Sequence, residues 1–170
     1  MKRALLITGA FILSASLYAV VGAAAAKGGA HAEIKALEDR YVAAVNAKDV
    51  DKIMECYATG DGLFVFDVIP PRQYAGADAY HKNWSDLFAG LKGPVKIELS
   101  DLSVTSSGNL AFGHVIQHFT ATGNDGKPVD FTFRTTDVYR KISGKWLIVQ
   151  EHNSVPVDVA TGKADMQSKP

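Results

Sequence analysis

The sequence predicts an α+β fold in which about three N-terminal helices pack on one face of a strongly bent, mostly antiparallel sheet. Apolar residues recur at helical spacing in the first half, whereas long strand-like runs separated by turn residues fill the second. Within one strand the apolar positions change phase, from Val95 and Leu99 to Leu102, as a β-bulge would produce. A bent sheet covered by helices encloses a cavity, so residues facing that cavity are candidates for function.

The first 26 residues are predicted to form a signal peptide, followed by a short linker at residues 27–30. "MKR" is a short positive segment, "ALLITGAFILSASLYAVVG" is apolar, and Ala23–Ala26 supply the small residues that a signal peptidase requires. The alternative is a retained membrane anchor, because the apolar run approaches the ~20 residues of a membrane span. A signal peptide indicates a periplasmic or secreted protein.

Composition restricts the partners of the remaining chain. Without Lys2 and Arg3, the 18 basic residues become 16 against 18 acidic ones, a net charge of about −2. This charge does not attract nucleic acid or, after signal cleavage, an anionic membrane. The single cysteine, Cys56, cannot form an internal disulfide, so packing alone must stabilise the fold.

The helices are assigned from apolar spacing and capping residues. A first helix fits residues 32–47, a second begins after Asp49, and a third fits residues 77–91. Tyr57 and Trp84 belong to the apolar patterns of the second and third helices, and both are expected to line the pocket. A β-rich run, "LFVFDVI", lies between them, and four long strands fit roughly residues 94–105, 109–121, 128–142 and 145–156. The polar tail over residues 158–170 is expected to fray.

The segments "RYVAAVNAKDVDKIMECYA" and "LFVFDVIPP" resemble the nuclear transport factor 2-like superfamily, which includes the SnoaL-like polyketide cyclases and the ketosteroid isomerases. The resemblance spans roughly residues 31–156 and predicts a SnoaL-like domain over residues 27–157. It implies a cone in which three helices close a curved sheet around a pocket, usually within a homodimer.

The ketosteroid isomerases are similar at three positions that carry their chemistry. Tyr41 matches their oxyanion-donating tyrosine, Asp67 in "FVFDV" their general base, and Asp137 in "TTDVYRK" their protonated acid. Such a trio transfers a proton beside a carbonyl group, because the base removes it and the donors stabilise the resulting oxyanion. The alternatives are structural: helix packing for Tyr41, an ion pair for Asp67 and core hydrogen bonding for Asp137.

One strand departs from the isomerases. Its bulkier face carries Phe112, His114, Ile116 and His118, and the resemblance implies that this face lines the pocket. The two histidines predict a more polar pocket and, when protonated, would favour an ionised Asp137. Four residues along a strand span about 13 Å, too far for both histidines to bind one zinc ion. A metal site would need one of them to be joined by Asp67, Asp137 or His152, and no metal is predicted. No cofactor is predicted either, because no glycine-rich loop suggests a phosphate-binding site.

The loop at Ser143-Gly144 decides whether Glu151 or His152 faces the pocket. A two-residue loop places His152 on the same face as Asp137, and a three-residue loop with a left-handed Gly144 places Glu151 there. Two-residue turns prefer Asn-Gly or Asp-Gly, so Ser-Gly favours the longer loop and an inward Glu151. A bulge further along the strand would reverse this assignment, so both residues are pocket candidates.

Three functions fit these observations. The favoured one is an exported pocket protein that binds a small, partly polar organic molecule. The second is a proton-transfer enzyme (isomerase, dehydratase or cyclase) with Asp67 as general base, and the third is a dimeric scaffold with a vestigial pocket. Export without a partner domain favours the first, because a fold that hosts many activities does not by itself imply one.

Overall fold

Across residues 19–168, which the computed structural model describes, the chain forms three α-helices and one six-stranded sheet. The helices are α1 (Ala19–Ala47), α2 (Val50–Met54) and α3 (Ala77–Ala89). The strands are β1 (Phe64–Phe66), β2 (Tyr74–Ala75), β3 (Leu91–Ser107), β4 (Leu110–Gly123), β5 (Pro128–Ile142) and β6 (Lys145–Ser154). The predicted α+β class is confirmed.

The sheet has the strand order β2-β1-β6-β5-β4-β3. All neighbouring strands are antiparallel except β1 and β6, which are parallel. Helices α1 and α3 contact β3, and α1 also contacts β6, so the helices cover one face of the sheet. The core lies between these layers and includes Leu37, Val45, Ile53, Ile97, Tyr139 and Ile148.

Helix α1 is longer than the sequence pattern predicts. Its described part runs from Ala19 through residues 27–30, so the linker expected there is wrong. The four consecutive residues Ala23–Ala26 are the strongest helix formers, and the two following glycines do not interrupt the helix. Residues 1–18, most of the expected signal peptide, lie outside the described residues. No helix of the described part is both long and apolar enough to cross a membrane.

The expected bulge in β3 is present. Ser100 pairs with Ile116, but the next pair joins Ser103 to His114, so β3 carries one extra residue. Asp101 has φ 57° there, a left-handed conformation that aspartate tolerates better than most residues. The extra residue bends β3 and increases the curvature of the sheet over the helices.

The β5–β6 hairpin differs from the prediction in its loop. Lys141 pairs with Trp146 and Ile142 with Lys145, which leaves a two-residue loop. Both loop residues are left-handed, with φ 49° for Ser143 and 83° for Gly144. The three-residue loop is therefore wrong. This turn accepts serine at the position where asparagine is usual.

A bulge in β6 reverses the consequence of that loop. Tyr139 pairs with Ile148, whereas Val138 pairs with Gln150, so Val149 is the extra residue. Beyond the bulge, Glu151 lies opposite Asp137 and is buried, whereas the side chain of the following residue, His152, is exposed. Glu151 faces inward as predicted, but not for the reason given. The two-residue loop alone would turn Glu151 outward, and the extra residue Val149 turns it inward again.

The described part of the C-terminal tail, residues 158–168, does not fray as expected. The backbone N–H of Thr132 donates to the carbonyl of Met166 at 2.9 Å, and the amide of Gln167 donates to the carbonyl of Asp130 at 2.7 Å. The Asp158 carboxylate accepts backbone N–H bonds within the intervening turn. The tail is therefore held against the first half of β5 by bonds that its polar composition does not reveal.

Candidate active site

A cavity of ≈ 190 Å³ lies between the helices and the inner face of the sheet. Most of its lining is apolar, from Trp84, Leu87, Ile97, Phe119, Val129, Phe131 and Phe133. Polar groups come from Tyr41 on α1, Tyr80 and Asn83 on α3, Asp67 after β1 and Asn153 on β6. Asp67 carries the one ordinarily charged side chain among the lining residues. The cavity is thus an apolar site with a single carboxylate.

Asp67 follows β1 directly, at the inward position that alternation from buried Val65 predicts. Its Oδ1 accepts the backbone N–H of Val68 at 2.6 Å, and its Oδ2 accepts the Asn83 amide at 3.2 Å. Burial raises the pKa of the Asp67 carboxyl above its usual value, while these two donors oppose the shift. The result is an oriented carboxylate with an increased affinity for protons.

Tyr41 reaches the same cavity from α1. Its buried ring makes edge contacts with Tyr57 and Trp84, at centroid distances of 6.3 and 6.1 Å. Among the residues whose side chains are described, none hydrogen-bonds the Tyr41 hydroxyl. Burial and the nearby carboxylates raise its pKa well above the usual value, so the hydroxyl stays protonated. It is therefore free to donate to a bound molecule, and the structure brings Tyr41 and Asp67 together as the resemblance implies.

Asp137 lies outside the cavity lining, deeper in the core. Its Oδ2 is 3.3 Å from the Tyr139 hydroxyl, which is also 2.9 Å from Oε1 of Glu38. A tyrosine hydroxyl has one hydrogen, so both contacts are hydrogen bonds only if one of the two acids carries a proton. Burial raises the pKa of Asp137 well above its usual value, which favours its neutral form. Because Asp137 lies outside the cavity lining, it does not contribute a donor to the cavity surface.

Glu151 and Tyr57 also lie behind the cavity wall. Glu151 accepts the hydroxyl groups of Tyr57 and Tyr80 at 2.5 and 2.6 Å, and the amide of Asn153 at 2.8 Å. Burial raises the pKa of Glu151, and these three donors oppose that shift. Neither Tyr57 nor Glu151 lines the cavity, so their expected pocket placement is corrected. They support two residues that do line it, Tyr80 and Asn153.

Four predicted pocket residues on β4 lie on the opposite face of the sheet. This outer face carries Leu110, Phe112, His114, Ile116 and His118, and Phe112 is 53% exposed. His118 contacts Asp130 at 2.9 Å, and His152, likewise exposed, packs its ring on Phe66. The pocket placement of these residues is wrong, and so is the polar pocket inferred from the histidines.

The inner face of β4 is sterically restricted at one position, Gly113. The inner face of β4 carries Ala111, Gly113, Val115 and Gln117 before Phe119. A Cβ added to Gly113 would lie 3.0 Å from the carbonyl oxygen of Ser103 and 3.3 Å from the Tyr139 ring. At Gly113 the inner face therefore leaves no room for a side chain, although Val115 and Gln117 are accommodated further along the strand. The bulkier Phe112 and Ile116 lie on the outer face, against the usual association of bulk with burial.

Sequence reasoning missed Glu38, Asn83, Tyr139 and Asn153. Glu38 had a usable signal, since it lies one helical turn after Ile34 and is buried on the same face of α1. Asn153 donates to Glu151 and accepts the Thr135 hydroxyl at 2.6 Å, which fixes its amide orientation. No sequence pattern distinguishes that asparagine from its neighbours, because its role depends on the bulge in β6.

Comparisons with known proteins place this geometry in a family. The model of the SnoaL-like domain matches residues 34–158. An NTF2-like protein of unknown function from Pseudomonas putida KT2440 is 33% identical, with a TM-score of 0.75, over 84% of this chain and 98% of that chain. No functionally curated protein matches the chain.

More distant solved structures share the fold. An NTF2-like superfamily protein from Salmonella enterica serovar Typhimurium is 22% identical, with a TM-score of 0.68, over 78% of this chain and 95% of its own. A candidate dehydratase of the NTF2-like family from Streptomyces avermitilis is 15% identical, with a TM-score of 0.63, over 72% and 93% of the two chains. The domain match and the 33% identical protein from Pseudomonas putida show that the chain belongs to the SnoaL-like domain family of the NTF2-like superfamily.

Proposed function

We propose that this protein binds a small, mainly apolar organic molecule in the cavity between α1, α3 and the sheet. The observation that supports this function best is the cavity itself, which is lined by apolar side chains and has one oriented carboxylate at its wall. Apolar pockets with a few fixed polar groups are the usual form of small-molecule sites. The proposal includes export, which rests on the N-terminal sequence pattern alone.

Filling the cavity should abolish binding. Val129 lines it, so Val129→Trp places an indole in the space a ligand would occupy. We expect small neutral organic compounds to give saturation-transfer NMR signals with the unmodified protein and to lose them with this variant. Val159 is 96% exposed in the tail, so Val159→Trp is the matched control and should retain the signals. Binding that survives Val129→Trp would place the site elsewhere.

Proton transfer is the second candidate function, favoured by the raised pKa of Asp67 and the free hydroxyl of Tyr41 in the same cavity. A similar fold in a candidate dehydratase agrees with this chemistry. In such a reaction Asp67 removes a proton beside a carbonyl, and Tyr41 donates a hydrogen bond to the developing oxyanion. Asp137 has no part in this proposal, because it lies outside the cavity lining.

Asp67→Asn should reduce proton transfer by about 10²–10⁴-fold, the usual contribution of a general base. Deuterium incorporation into cyclohexanone, followed by NMR in heavy water, measures this directly. The unmodified protein should gain activity as pH rises through the raised pKa of Asp67, because the base must be ionised. Asp39→Asn changes an exposed carboxylate in the same way and should leave the rate unchanged. Equal rates for the two variants would exclude Asp67 as base.

The outer face of the sheet supports a homodimer, which we propose as the assembly. Leu110 and Phe112 are 49% and 53% exposed on neighbouring outward positions of β4. A second copy of this chain would remove these side chains from water. Light scattering after size exclusion should give the mass of a dimer, and Phe112→Lys should shift it to that of a monomer. Val159→Lys, the control, should not. A monomeric unmodified protein would contradict the proposal.

A further inference from the structure

We infer that the cavity selects neutral compounds of a single aromatic ring that carry a hydroxyl group. This inference rests on the proposed binding function and specifies its ligand by size, wall chemistry and charge. Each of these three properties excludes a different class of compound.

Size limits the ligand to one ring with a small substituent. An apolar cavity of about 150 Å³ accommodates benzene. The cavity here measures ≈ 190 Å³, so the space beyond one ring is roughly that of a hydroxyl or methyl group. Two fused rings exceed it unless the walls move. Drug-sized ligands, which bind in pockets of about 300–1,000 Å³, are excluded more strongly.

The walls favour an aromatic ring. Three phenylalanines line the sheet side, with centroid distances of 5.5 Å between Phe119 and Phe131 and 5.3 Å between Phe131 and Phe133. Trp84 belongs to the facing helix layer and also lines the cavity. Aromatic pairs contribute beyond the apolar area that they bury, through edge-to-face and offset contacts. A planar ring can make such contacts with both layers.

The polar groups favour a hydroxyl and exclude an anion. The lining residues include no lysine, arginine or histidine, and Asp67 carries the one ordinarily charged side chain. Each Asp67 oxygen already accepts one hydrogen bond, but a carboxylate has about four acceptor sites, so it can accept one from a ligand. The Tyr41 hydroxyl can donate to a ligand oxygen. A hydroxyl group can both donate to Asp67 and accept from Tyr41, whereas a carboxylate would be repelled by Asp67.

Four fluorinated probes test these three properties by ¹⁹F NMR titration of the full protein. They are 4-fluorophenol, 4-fluoroanisole, 4-fluorobenzoate and 6-fluoro-2-naphthol. We expect 4-fluorophenol to bind at least about tenfold more tightly than 4-fluoroanisole, since hydrogen bonds to charged groups contribute this much or more. The naphthol should bind more weakly than the phenol, and the benzoate should show no saturable binding.

Two variants connect the selectivity to Asp67. Asp67→Asn should reduce the preference for 4-fluorophenol and allow 4-fluorobenzoate to bind, whereas the exposed control Asp39→Asn should change neither. Circular dichroism establishes that both variants are folded. Equal affinity for phenol and anisole, tight benzoate binding, or a tighter naphthol would overturn the inference while leaving the cavity as a binding site. Failure of all four probes to bind would overturn the proposed function as well.

Discussion

Replacing Glu151 with alanine is expected to lower the free energy of unfolding by roughly 3–5 kcal/mol. The carboxylate accepts three hydrogen bonds, from Tyr57, Tyr80 and Asn153, and is almost fully buried. Without it, the two hydroxyl groups and the amide lose their acceptor in a region closed to water. Each buried polar group left without a partner costs about 1–3 kcal/mol, and the three costs do not add in full because the groups belong to one network. The void left by the side chain adds to this loss.

Urea denaturation of purified variants measures the effect. Glu151→Gln keeps one carbonyl acceptor of the same shape, so its loss should be smaller than that of Glu151→Ala. Glu98 lies on β3 with an exposed side chain, and Glu98→Ala should leave the stability nearly unchanged. A loss below about 1 kcal/mol for Glu151→Ala, less than one unsatisfied donor usually costs, would mean that the network contributes little to folding.

Stability should fall by about 3 kcal/mol between pH 5 and pH 8.5. Burial raises the pKa of Glu38 from 4.5 to about 7, and the pKa values of Asp137 and Glu151 are raised for the same reason. The unfolded chain releases the Glu38 proton near pH 4.5, whereas the folded protein keeps it until about pH 7. The stability contributed by the Glu38 proton is therefore fully present below pH 4.5 and is lost as pH rises through 7. For Glu38 alone, the difference between the unfolded and folded pKa values corresponds to about 3 kcal/mol of stability.

Chemical denaturation at pH 5.0, 6.0, 7.0 and 8.5 tests this dependence. Glu38→Gln removes the titrating group but keeps an acceptor for the Tyr139 hydroxyl, so its stability should vary less with pH. Glu55 is exposed next to α2, and Glu55→Gln should keep the full dependence. A Glu38→Gln curve that parallels the unmodified protein would assign the effect to another group.

The order of helices and strands was predictable because apolar residues recur at a different spacing in each. Helical spacing identified α1 to α3, and the phase change within β3 predicted the bulge that the structure shows at Asp101. The position of Asp67 at the end of a short apolar strand, and of Tyr41 on the first helix, also followed from local pattern and resemblance. These features depend on residues close together in the chain.

Which face of β4 lies toward the helices was not predictable in the same way. Alternation shows that Phe112, His114 and Ile116 share a face, but not which face meets the helices. Close approach around Gly113 leaves no room for a side chain on the inward face at that position, and this contact joins residues distant in sequence. The bulge at Val149 likewise has no local signal, and it decides the position of Glu151. Such tertiary packing determines the cavity lining, so the site was less predictable than the fold.

The parallel pairing of β1 with β6 has a consequence for biosynthesis. Phe64 pairs with Gln150 and Phe66 with His152, so the strand leading into Asp67 finds this neighbour about 85 residues later. Non-local pairing of this kind forms slowly, because a long loop must close first. A nascent chain therefore carries Asp67 through about half of its synthesis without the strand beside it. The pocket is completed only with the last strand, and a chain shortened before residue 150 would have its aspartate but no finished site.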